Sequence, residues 1–255
     1  MRILLTGGTG FIAKDLIDMG LFRGHDILAS TRSTDWNSDL GSFDCVIHLA
    51  GKAHDKDAQW RHFEESNIEL TFKIINNLKK FSPMALLIFF STSKVYGEES
   101  YDRPFNEADQ LNYQSDYGKS KALCEKAIIE SELRYIILRP TLVVGGSPKG
   151  NLGLVKKAAD LGLPFPRNIN NNRSLCSSKY IFRILGKIFE NKIPENQIYN
   201  LSERTNSSVE IFREFGACRF INYPKFILHL IPDKLKRKIF GNFEIDGSKI
   251  ARCLN

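Results

Sequence analysis

The first twenty residues, MRILLTGGTGFIAKDLIDMG (Met1–Gly20), decide the fold of the chain. The apolar stretch Arg2–Thr6 predicts a buried strand, and the residues from Phe11 onward predict a helix that ends at Gly20. Three of the four residues in the turn between them, Gly7-Gly8-Thr9-Gly10, lack a Cβ atom. A pyrophosphate can therefore approach this backbone at the positive end of the helix, and we expect a dinucleotide to bind there.

Strand and helix patterns alternate along the sequence after this first unit. Predicted strands cover His25–Ser30, Asp44–Leu49, Met84–Phe90 and Tyr135–Leu138, and predicted helices cover Gln59–Phe81 and Tyr117–Ser131. This alternation predicts an α/β fold, a Rossmann-type doubly wound parallel sheet with right-handed crossovers. We expect residues 1–147 to form the NAD(P)-binding domain and residues 148–255 a smaller C-terminal substrate-binding domain, some of whose segments pack back on the sheet.

The residues after the second predicted strand bear on the choice of cofactor. NAD-preferring sites place a carboxylate near this point, where it accepts hydrogen bonds from the adenosine ribose. Here Ser30, Thr31 and Arg32 follow the strand, and Asp35 is the first carboxylate. A guanidinium suits a 2′-phosphate, so Arg32 favours NADP. NAD stays possible, because Arg32 is alternatively an exposed loop residue.

Two further strand ends carry residues suited to ligand binding. Small residues, Ala50 and Gly51, follow the third predicted strand and would let a cofactor lie close over it. The strand ending at Phe90 delivers Ser91-Thr92-Ser93 to the edge of the sheet where open α/β folds bind ligands. A hydroxyl there can hydrogen-bond a carbonyl or alcohol oxygen of a substrate, or it can cap the following turn.

Tyr117 and Lys121 lie four residues apart in the predicted helix, so their side chains project from one face. A phenol beside a cation gives up its proton more readily, which makes Tyr117 a candidate acid/base. The same spacing is common on solvated helix faces. The phosphate-binding turn, the Ser/Thr strand end and the start of this helix are all expected at one sheet edge, and this convergence favours a functional role.

Composition narrows the classes of protein that the chain can be. A hydrophobic content of 42% and a charged content of 25% are those of a globular protein, and no run has the length of a membrane span. The five scattered cysteines form no CxxC pair, which indicates free thiols and no metal site. The sequence begins directly with a strand and not with a signal peptide, so we expect a cytoplasmic protein. The net charge of +7 and the short basic run Lys234–Lys238 do not indicate nucleic-acid binding.

Five segments resemble the extended short-chain dehydrogenase/reductase family, the nucleotide-sugar epimerases, dehydratases and reductases. They are TGGTGFIA (Thr6–Ala13), DCVIHLAG (Asp44–Gly51), STSKVYGE (Ser91–Glu98), YGKSK (Tyr117–Lys121) and LRPTLVVG (Leu138–Gly145). They occur in the order and at the distances typical of that family, so the resemblance extends over nearly the whole chain.

The resemblance implies a role for each matching residue. Tyr117 would be the catalytic acid/base, Lys121 would lower its pKa and hold the nicotinamide ribose, and Thr92 would supply the third catalytic group. The residues expected to bind the cofactor are Gly7, Gly10, Phe11, Ile12, Arg32, Leu49, Ala50, Gly51, Ser91, Lys121 and Pro140.

Departures from the family pattern distinguish its subfamilies. The 4,6-dehydratases carry Asp-Glu directly after the catalytic threonine, whereas this chain has Ser93 and Lys94. The resemblance therefore implies simple 4-epimerisation or 4-keto reduction. Two other departures are Lys179, where the family tends to have an aspartate, and the end of the sequence at Asn255, where relatives usually continue.

The segment from Ser147 to Leu175 resembles the part of the family that binds the nucleotide diphosphate, above all in UDP-N-acetyl-4-keto-6-deoxyhexosamine 4-reductases. By this resemblance Asn151 would contact the diphosphate or sugar, Arg173 would pair with phosphate, and Ser93 would also contact the substrate. The expected partner is a nucleotide-diphosphate sugar, most plausibly UDP-linked, and not a nucleic acid or a membrane.

Three functions remain open from the sequence. The first is an NAD(P)-dependent 4-ketoreductase in the synthesis of surface-polysaccharide precursors. The second is a UDP-hexose 4-epimerase that keeps NAD tightly bound, and the third is a catalytically weak cofactor-binding sensor. The family resemblance also implies a homodimer that associates through a four-helix bundle of the Gln59–Phe81 and Tyr117–Ser131 helices.

Overall fold

The fold is that of a computed structural model, which describes residues 1–53, 59–100, 102–146, 150–222, 224 and 241–254. Its strands are β1 (Arg2–Thr6), β2 (Asp26–Ala29), β3 (Cys45–His48), β4 (Leu86–Phe90), β5 (Tyr135–Pro140), β6 (Leu142–Val144), β7 (Phe165–Pro166), β8 (Asn172–Ser177), β9 (Gln197–Leu201), β10 (Arg204–Ser207) and β11 (Phe220–Ile221). Its helices are α1 (Phe11–Asp18), α2 (Trp60–Phe63), α3 (Leu70–Phe81), α4 (Asp116–Ile129), α5 (Gly150–Asp160), α6 (Ser178–Phe189), α7 (Ser208–Glu214) and α8 (Ser248–Ala251).

Six parallel strands form the main sheet, in the order β2-β1-β3-β4-β5-β9. The chain moves from β1 to β2 on one side and then crosses to β3 on the other side. The carboxyl ends of β1 and β3 thus meet where the strand order reverses, which is where open α/β sheets bind ligands. The predicted Rossmann-type doubly wound sheet is confirmed.

The central strands of the sheet are buried on both faces, which explains why β4 is apolar throughout and why every residue of β3 is buried. One face packs on α1 and α6 through a core that includes Leu16, Ile88 and Ile184. The other face packs on α3 and α4 through a core that includes Ile74, Phe89 and Ile128. The chain after β5 contributes β9 to this sheet, in register with β5.

The described parts of residues 142–177 and 204–222 form a smaller unit, which we call the C-terminal lobe. It contains β8 between β6 and antiparallel β10, and the short ribbon of β7 and β11. Its own apolar cores are small, with Phe165 and Phe212 in one and Leu175 and Ile211 in the other.

The long helix predicted from Gln59 to Phe81 is interrupted by a π-helical turn. Residues Glu64–Glu69 form that turn between α2 and α3. A π-helical turn shifts the register of the helix and often occurs at a functional site. Here it lies where Asn67 faces the interior, beside α4.

Candidate active site

The glycine-rich turn brings the end of β1 against the end of β3. Gly7 has a φ of +71°, and a Cβ atom built on it would lie 2.6 Å from the backbone nitrogen of Ala50. Only glycine permits both the left-handed backbone and this approach. Gly10 precedes α1 and donates its N–H to the carbonyl of Gly7 at 2.8 Å. Phe11 and Ile12 then form the first turn of α1.

Arg32 is exposed in the loop after β2. The neighbouring hydroxyls hydrogen-bond one another, as Thr31 does with Ser33. The first carboxylate, Asp35, accepts the backbone N–H of Asn37 at 3.0 Å. The strand end thus presents one cation and several hydroxyls, and the choice between NAD and NADP stays a prediction.

The structure brings Thr92 and Tyr117 together. Thr92 follows β4, is nearly buried, and its Oγ1 accepts the backbone N–H of Lys94 at 3.2 Å. The Tyr117 phenol hydrogen-bonds the Thr92 side chain. Burial raises the pKa of Tyr117 to about 12, and the hydrogen bond with Thr92 opposes that rise. Tyr117 is therefore a neutral phenol at neutral pH.

A close helix packing positions Tyr117. Ser115 caps α4, because its Oγ accepts the N–H of Gly118 at 3.1 Å. A Cβ atom on Gly118 would lie 2.7 Å from the carbonyl oxygen of Lys94. The glycine thus lets the first turn of α4 touch the short 3₁₀ turn Ser93–Val95 that follows Thr92.

Lys121 reaches the ends of β3 and β4 from inside the protein. Its Nζ donates to the carbonyl of Phe90 at 2.9 Å, and a Cβ atom on Gly51 would lie 3.0 Å from it. Burial lowers the pKa of Lys121 to about 8, while Cys124 and Glu125 act in the opposite direction. The expected lowering of the Tyr117 pKa by Lys121 is not found, since burial dominates the pKa of the phenol.

Asn67 and Thr71 are buried hydrogen-bonding residues. Asn67 donates its Nδ2 hydrogen to the Oγ of Ser120 at 2.8 Å, and the Thr71 hydroxyl lies 3.1 Å from Nε2 of His48. The other ring nitrogen of His48 lies 2.7 Å from the Thr6 hydroxyl. Burial and then Lys121 hold the pKa of His48 well below its usual value, so this histidine is a neutral, packed residue.

A buried ion pair between α4 and β5 is the main feature that the sequence interpretation missed. Glu125 binds Arg139 through two hydrogen bonds, of 2.9 and 2.6 Å, and both side chains are 3% exposed. Arg139 also donates to the Tyr96 hydroxyl at 2.7 Å. Ser91 donates its hydroxyl hydrogen to Glu125. Two features of the sequence could have indicated this pair: Glu125 lies one helical turn after Lys121, and Arg139 lies near the end of an apolar strand.

Other predicted cofactor residues lie around the same edge. Leu49 and Ala50 are partly buried after β3, and Ala50 donates its N–H to the Thr6 hydroxyl at 3.1 Å. Pro140 ends β5 and is buried. Ser91 is buried with its hydroxyl on Glu125, so its contact with a cofactor stays a prediction.

Of the predicted substrate residues, Ser93 is buried beside Thr92, and Arg173 lies on β8 in the C-terminal lobe. Burial lowers the pKa of Arg173, while the carboxylates of Glu98 and Glu99 raise it. Glu98 also binds Lys94, in the turn after Thr92, at 2.6 Å, and the contact of Arg173 with a substrate stays a prediction. Asn151 lies on α5, and its side chain is outside the described part of the structure.

The five cysteines are free thiols. Among the described residues, no helix is both long enough and apolar enough to cross a bilayer.

Comparisons with known proteins agree with this geometry. A model of the NAD dependent epimerase/dehydratase family matches residues 3–201. The UDP-glucose 4-epimerase of Vibrio cholerae is 29% identical to this chain, and the alignment covers 95% of the chain and 83% of that protein.

Solved structures share the fold. The UDP-glucuronic acid 4-epimerase from Bacillus cereus, in complex with NAD, has a TM-score of 0.76 at 19% identity, covering 100% of this chain and 92% of its own. A human epimerase family protein with NADPH has a TM-score of 0.78 at 19% identity, covering 99% and 93%. With its family motifs in place around a Tyr-Lys-Thr site, the chain is an enzyme of the NAD dependent epimerase/dehydratase family, within the extended short-chain dehydrogenases/reductases.

Proposed function

We propose that this enzyme reduces the 4-keto group of a UDP-linked deoxyhexose or amino-deoxyhexose with NADPH. Two observations support the proposal: the Tyr117 phenol hydrogen-bonds the Thr92 side chain, and Ser93 and Lys94 follow Thr92 where the resemblance places the acidic pair of a dehydratase. A neutral phenol is ready to donate a proton, which is what a ketone oxygen requires during reduction. Neither Ser93 nor Lys94 provides a carboxylate for dehydration.

In this mechanism Tyr117 donates its proton to the ketone oxygen of the sugar, and Thr92 hydrogen-bonds the same oxygen. A bound nicotinamide dinucleotide would supply the hydride. Lys121, with a pKa of about 8, is largely protonated at neutral pH and would hold the nicotinamide ribose beside Gly51. The Lys121 side chain is itself buried, so little water surrounds its ammonium, and its interactions are stronger for that reason.

The proposed preference for NADP rests on Arg32. It is exposed after β2, and no carboxylate lies between Ser30 and Thr34 to bind the ribose hydroxyls of NAD. Replacing Arg32 with alanine should raise the KM for NADPH about tenfold while leaving the KM for NADH nearly unchanged. Equal changes for the two cofactors would remove Arg32 from this role.

For the substrate, we propose that Arg173 binds the diphosphate, that Asn151 contacts the diphosphate or sugar, and that Ser93 contacts the sugar. Arg173 lies in the C-terminal lobe, and it interacts electrostatically with Glu98 and Glu99, which follow Thr92 in the sequence. The similar Vibrio cholerae protein is a UDP-glucose 4-epimerase, which supports a UDP-linked ligand. A cytoplasmic role in forming surface-polysaccharide precursors is part of the same proposal.

A 4-epimerase is the second candidate, because the similar Vibrio cholerae protein and the Bacillus cereus structure both carry that activity in their names. An epimerase removes a hydride from the sugar and returns it to the opposite face, so it would retain its cofactor between turnovers. A reductase would instead consume one NADPH for each product molecule. The difference can be measured directly.

The decisive experiment uses the full chain as purified. Mass spectrometry of the released small molecules identifies any bound cofactor and nucleotide sugar. The absorbance of NADPH is then followed with a UDP-4-keto-6-deoxyhexosamine as substrate. We expect stoichiometric oxidation of NADPH and no reaction with UDP-glucose alone. Tightly bound NAD, with interconversion of UDP-hexoses and no NADPH oxidation, would establish the epimerase.

We also propose a homodimer that associates through α3 and α4. Phe72 on α3 and Leu123 and Ile129 on α4 are exposed large apolar residues, which a monomer would leave in water. A double variant, Phe72→Glu with Leu123→Glu, should elute as a monomer in size-exclusion chromatography with light scattering. An unchanged mass would place any dimer contact elsewhere.

A further inference from the structure

The connection between β2 and β3 contains no helix. All residues from 30 to 44 are described, and they form turns and irregular backbone but neither helix nor strand. A crossover between parallel strands usually contains an α-helix. Here the chain crosses the face of the sheet that packs on α3, where Trp36, Leu40 and Phe43 pack in the apolar core. We call residues 30–44 the crossover strap.

Asn77, on α3, holds the middle of the crossover strap. Backbone carbonyls that a helix would satisfy internally need other donors here. The Nδ2 group of Asn77 donates to the carbonyls of Trp36 and Ser38, at 2.8 and 2.9 Å. Asn77 is 2% exposed, and its Oδ1 atom is buried with no hydrogen-bond partner among the described residues. Because an unsatisfied buried oxygen costs free energy, Asn77 contributes less to stability than its two donated bonds would by themselves.

Other side chains hold the far end of the crossover strap, which leads into the amino end of β3. The Nη2 group of Arg2 donates to the carbonyl of Leu40 at 3.2 Å. The Ser82 hydroxyl donates to the carbonyl of Gly41 at 3.3 Å. Of these three side chains, Asn77 contacts the part of the strap that is closest in sequence to β2.

The near end of the crossover strap follows β2 at the carboxyl edge of the sheet. In this fold the residues there meet the adenosine ribose of a dinucleotide. The N–H of Thr31 donates to Oγ1 of Thr34 at 2.8 Å, and the N–H of Thr34 donates to the carbonyl of Thr31 at 3.2 Å. Because these bonds lie within the turn, they do not fix it against the rest of the protein. Its position therefore depends on the strap residues that follow, beginning with Trp36.

We propose that Asn77 is a positioning residue for the adenosine half of NAD or NADP. By holding Trp36 and Ser38 against α3, it orders the crossover strap before the cofactor binds. A ligand that meets an ordered segment does not have to supply the free energy of ordering it, and therefore binds more tightly. The turn at Gly7, which has no room for a Cβ atom, fits the pyrophosphate of the same cofactor. The proposal rests on the cofactor of the family and not on the choice between reductase and epimerase.

The test compares Asn77→Ala with Asn76→Ala in the full-length protein freed of bound cofactor. Asn76 is the matched control, because it is exposed one residue earlier in α3 and the two substitutions change helix propensity equally. Isothermal titration calorimetry measures the affinities for NADPH, NADH and ADP, the last being the part that both cofactors share. We expect Asn77→Ala to raise all three Kd values, by about fivefold to tenfold, and Asn76→Ala to leave them unchanged.

Hydrogen–deuterium exchange adds a measurement that needs neither a sugar substrate nor turnover. In the cofactor-free wild type we expect slow exchange over residues 36–40, with faster exchange in Asn77→Ala and the wild-type rate in Asn76→Ala. A lower melting temperature of Asn77→Ala with unchanged Kd values would give Asn77 a structural role alone and overturn the proposal, as would an equal rise of Kd in the control.

The wild type also tests the proposal without any variant. If residues 36–40 exchange fast in the cofactor-free protein and slowly only with NADPH bound, the cofactor orders the crossover strap and Asn77 does not. That result decides the question even if Asn77→Ala fails to fold.

Discussion

The ion pairs of the catalytic edge and those of the C-terminal lobe are built differently. At the catalytic edge, where β3 and β4 meet α4, Glu125 and Arg139 are both 3% exposed and bind through two hydrogen bonds. In the lobe, Arg204 and Glu214 also bind through two hydrogen bonds, but their side chains are 42% and 35% exposed. The chemistry of the two pairs is thus the same, and their solvent environment differs.

This difference indicates which part of the enzyme has a fixed arrangement of helices and strands. A buried charge that loses its partner is costly, so the buried pair tolerates only one arrangement of α4 relative to β5. Tyr117 and Lys121 lie on that same helix and gain a fixed position from it. An exposed pair contributes little, so the lobe can change its surface residues without disturbing its fold. Under the proposed function, the reacting groups would lie at the rigid edge, and the residues that select the ligand would lie in the more adaptable lobe.

The largest effect should come from removing the acid at the edge. Tyr117→Phe keeps the ring and removes the hydroxyl that hydrogen-bonds Thr92. We expect kcat to fall by about a thousandfold or more, with cofactor affinity nearly unchanged. Single-turnover kinetics and cofactor titration by fluorescence measure the two quantities. Activity close to that of the wild type would show that another group transfers the proton.

The two ion pairs can be compared directly through matched substitutions. Glu125→Gln leaves the buried Arg139 without a charged partner and should lower the free energy of unfolding by about 3 kcal/mol or more. Glu214→Gln, at the exposed pair, should cost less than about 1 kcal/mol. Urea denaturation followed by fluorescence measures both. Similar losses in the two variants would break the distinction between a rigid edge and an adaptable lobe.

The buried lysine gives the edge a pH-dependent contribution to stability. The pKa of Lys121 is about 8 in the folded protein and 10.5 in its ordinary environment, so the unfolded chain binds the extra proton between these values. The contribution of Lys121 to the free energy of unfolding therefore rises with pH from about pH 8 to pH 10.5, by up to about 3 kcal/mol.

The Lys121→Met variant should lack this contribution. The difference between the free energies of unfolding of wild type and variant, measured by urea denaturation at each pH, isolates the contribution of Lys121. The comparison is needed because burial raises the pKa values of Tyr117 and Tyr96, which lowers the stability of both proteins at the upper end of the range. Parallel stability curves for wild type and variant would mean that Lys121 is not desolvated.

The catalytic edge could be predicted largely from the sequence because its parts are local. The turn at Gly7, the strand end at Thr92 and the helical spacing of Tyr117 and Lys121 each depend on a few neighbouring residues. Their meeting at one edge follows from the parallel sheet.

What the sequence did not predict depends on distances between elements. Glu125 meets Arg139 only because α4 packs across β5, and no local pattern encodes that contact. The direction of the Tyr117 pKa was also missed, since burial of the phenol cannot be judged from a four-residue spacing. In the lobe, the neighbours of Arg173 come from a loop that is far away in the sequence.

The smallest of these effects tests how finely the edge is positioned. Gly118→Ala places a methyl group 2.7 Å from the carbonyl oxygen of Lys94, so α4 and the turn after Thr92 must separate slightly. Because Tyr117 and Thr92 lie on the two sides of this contact, kcat should fall about tenfold to a hundredfold while the protein stays folded.

Gly186→Ala is the control, since a Cβ atom there meets nothing within 4 Å. In the middle of α6 it should raise stability by roughly 0.5–1 kcal/mol without affecting kcat. Thermal denaturation of both variants measures the effect of backbone entropy on stability. Steady-state kinetics measures the effect of the site geometry on kcat. If Gly118→Ala retains full activity, the contact between α4 and the Ser93–Val95 turn packs the fold without setting the distance between the two catalytic hydroxyls.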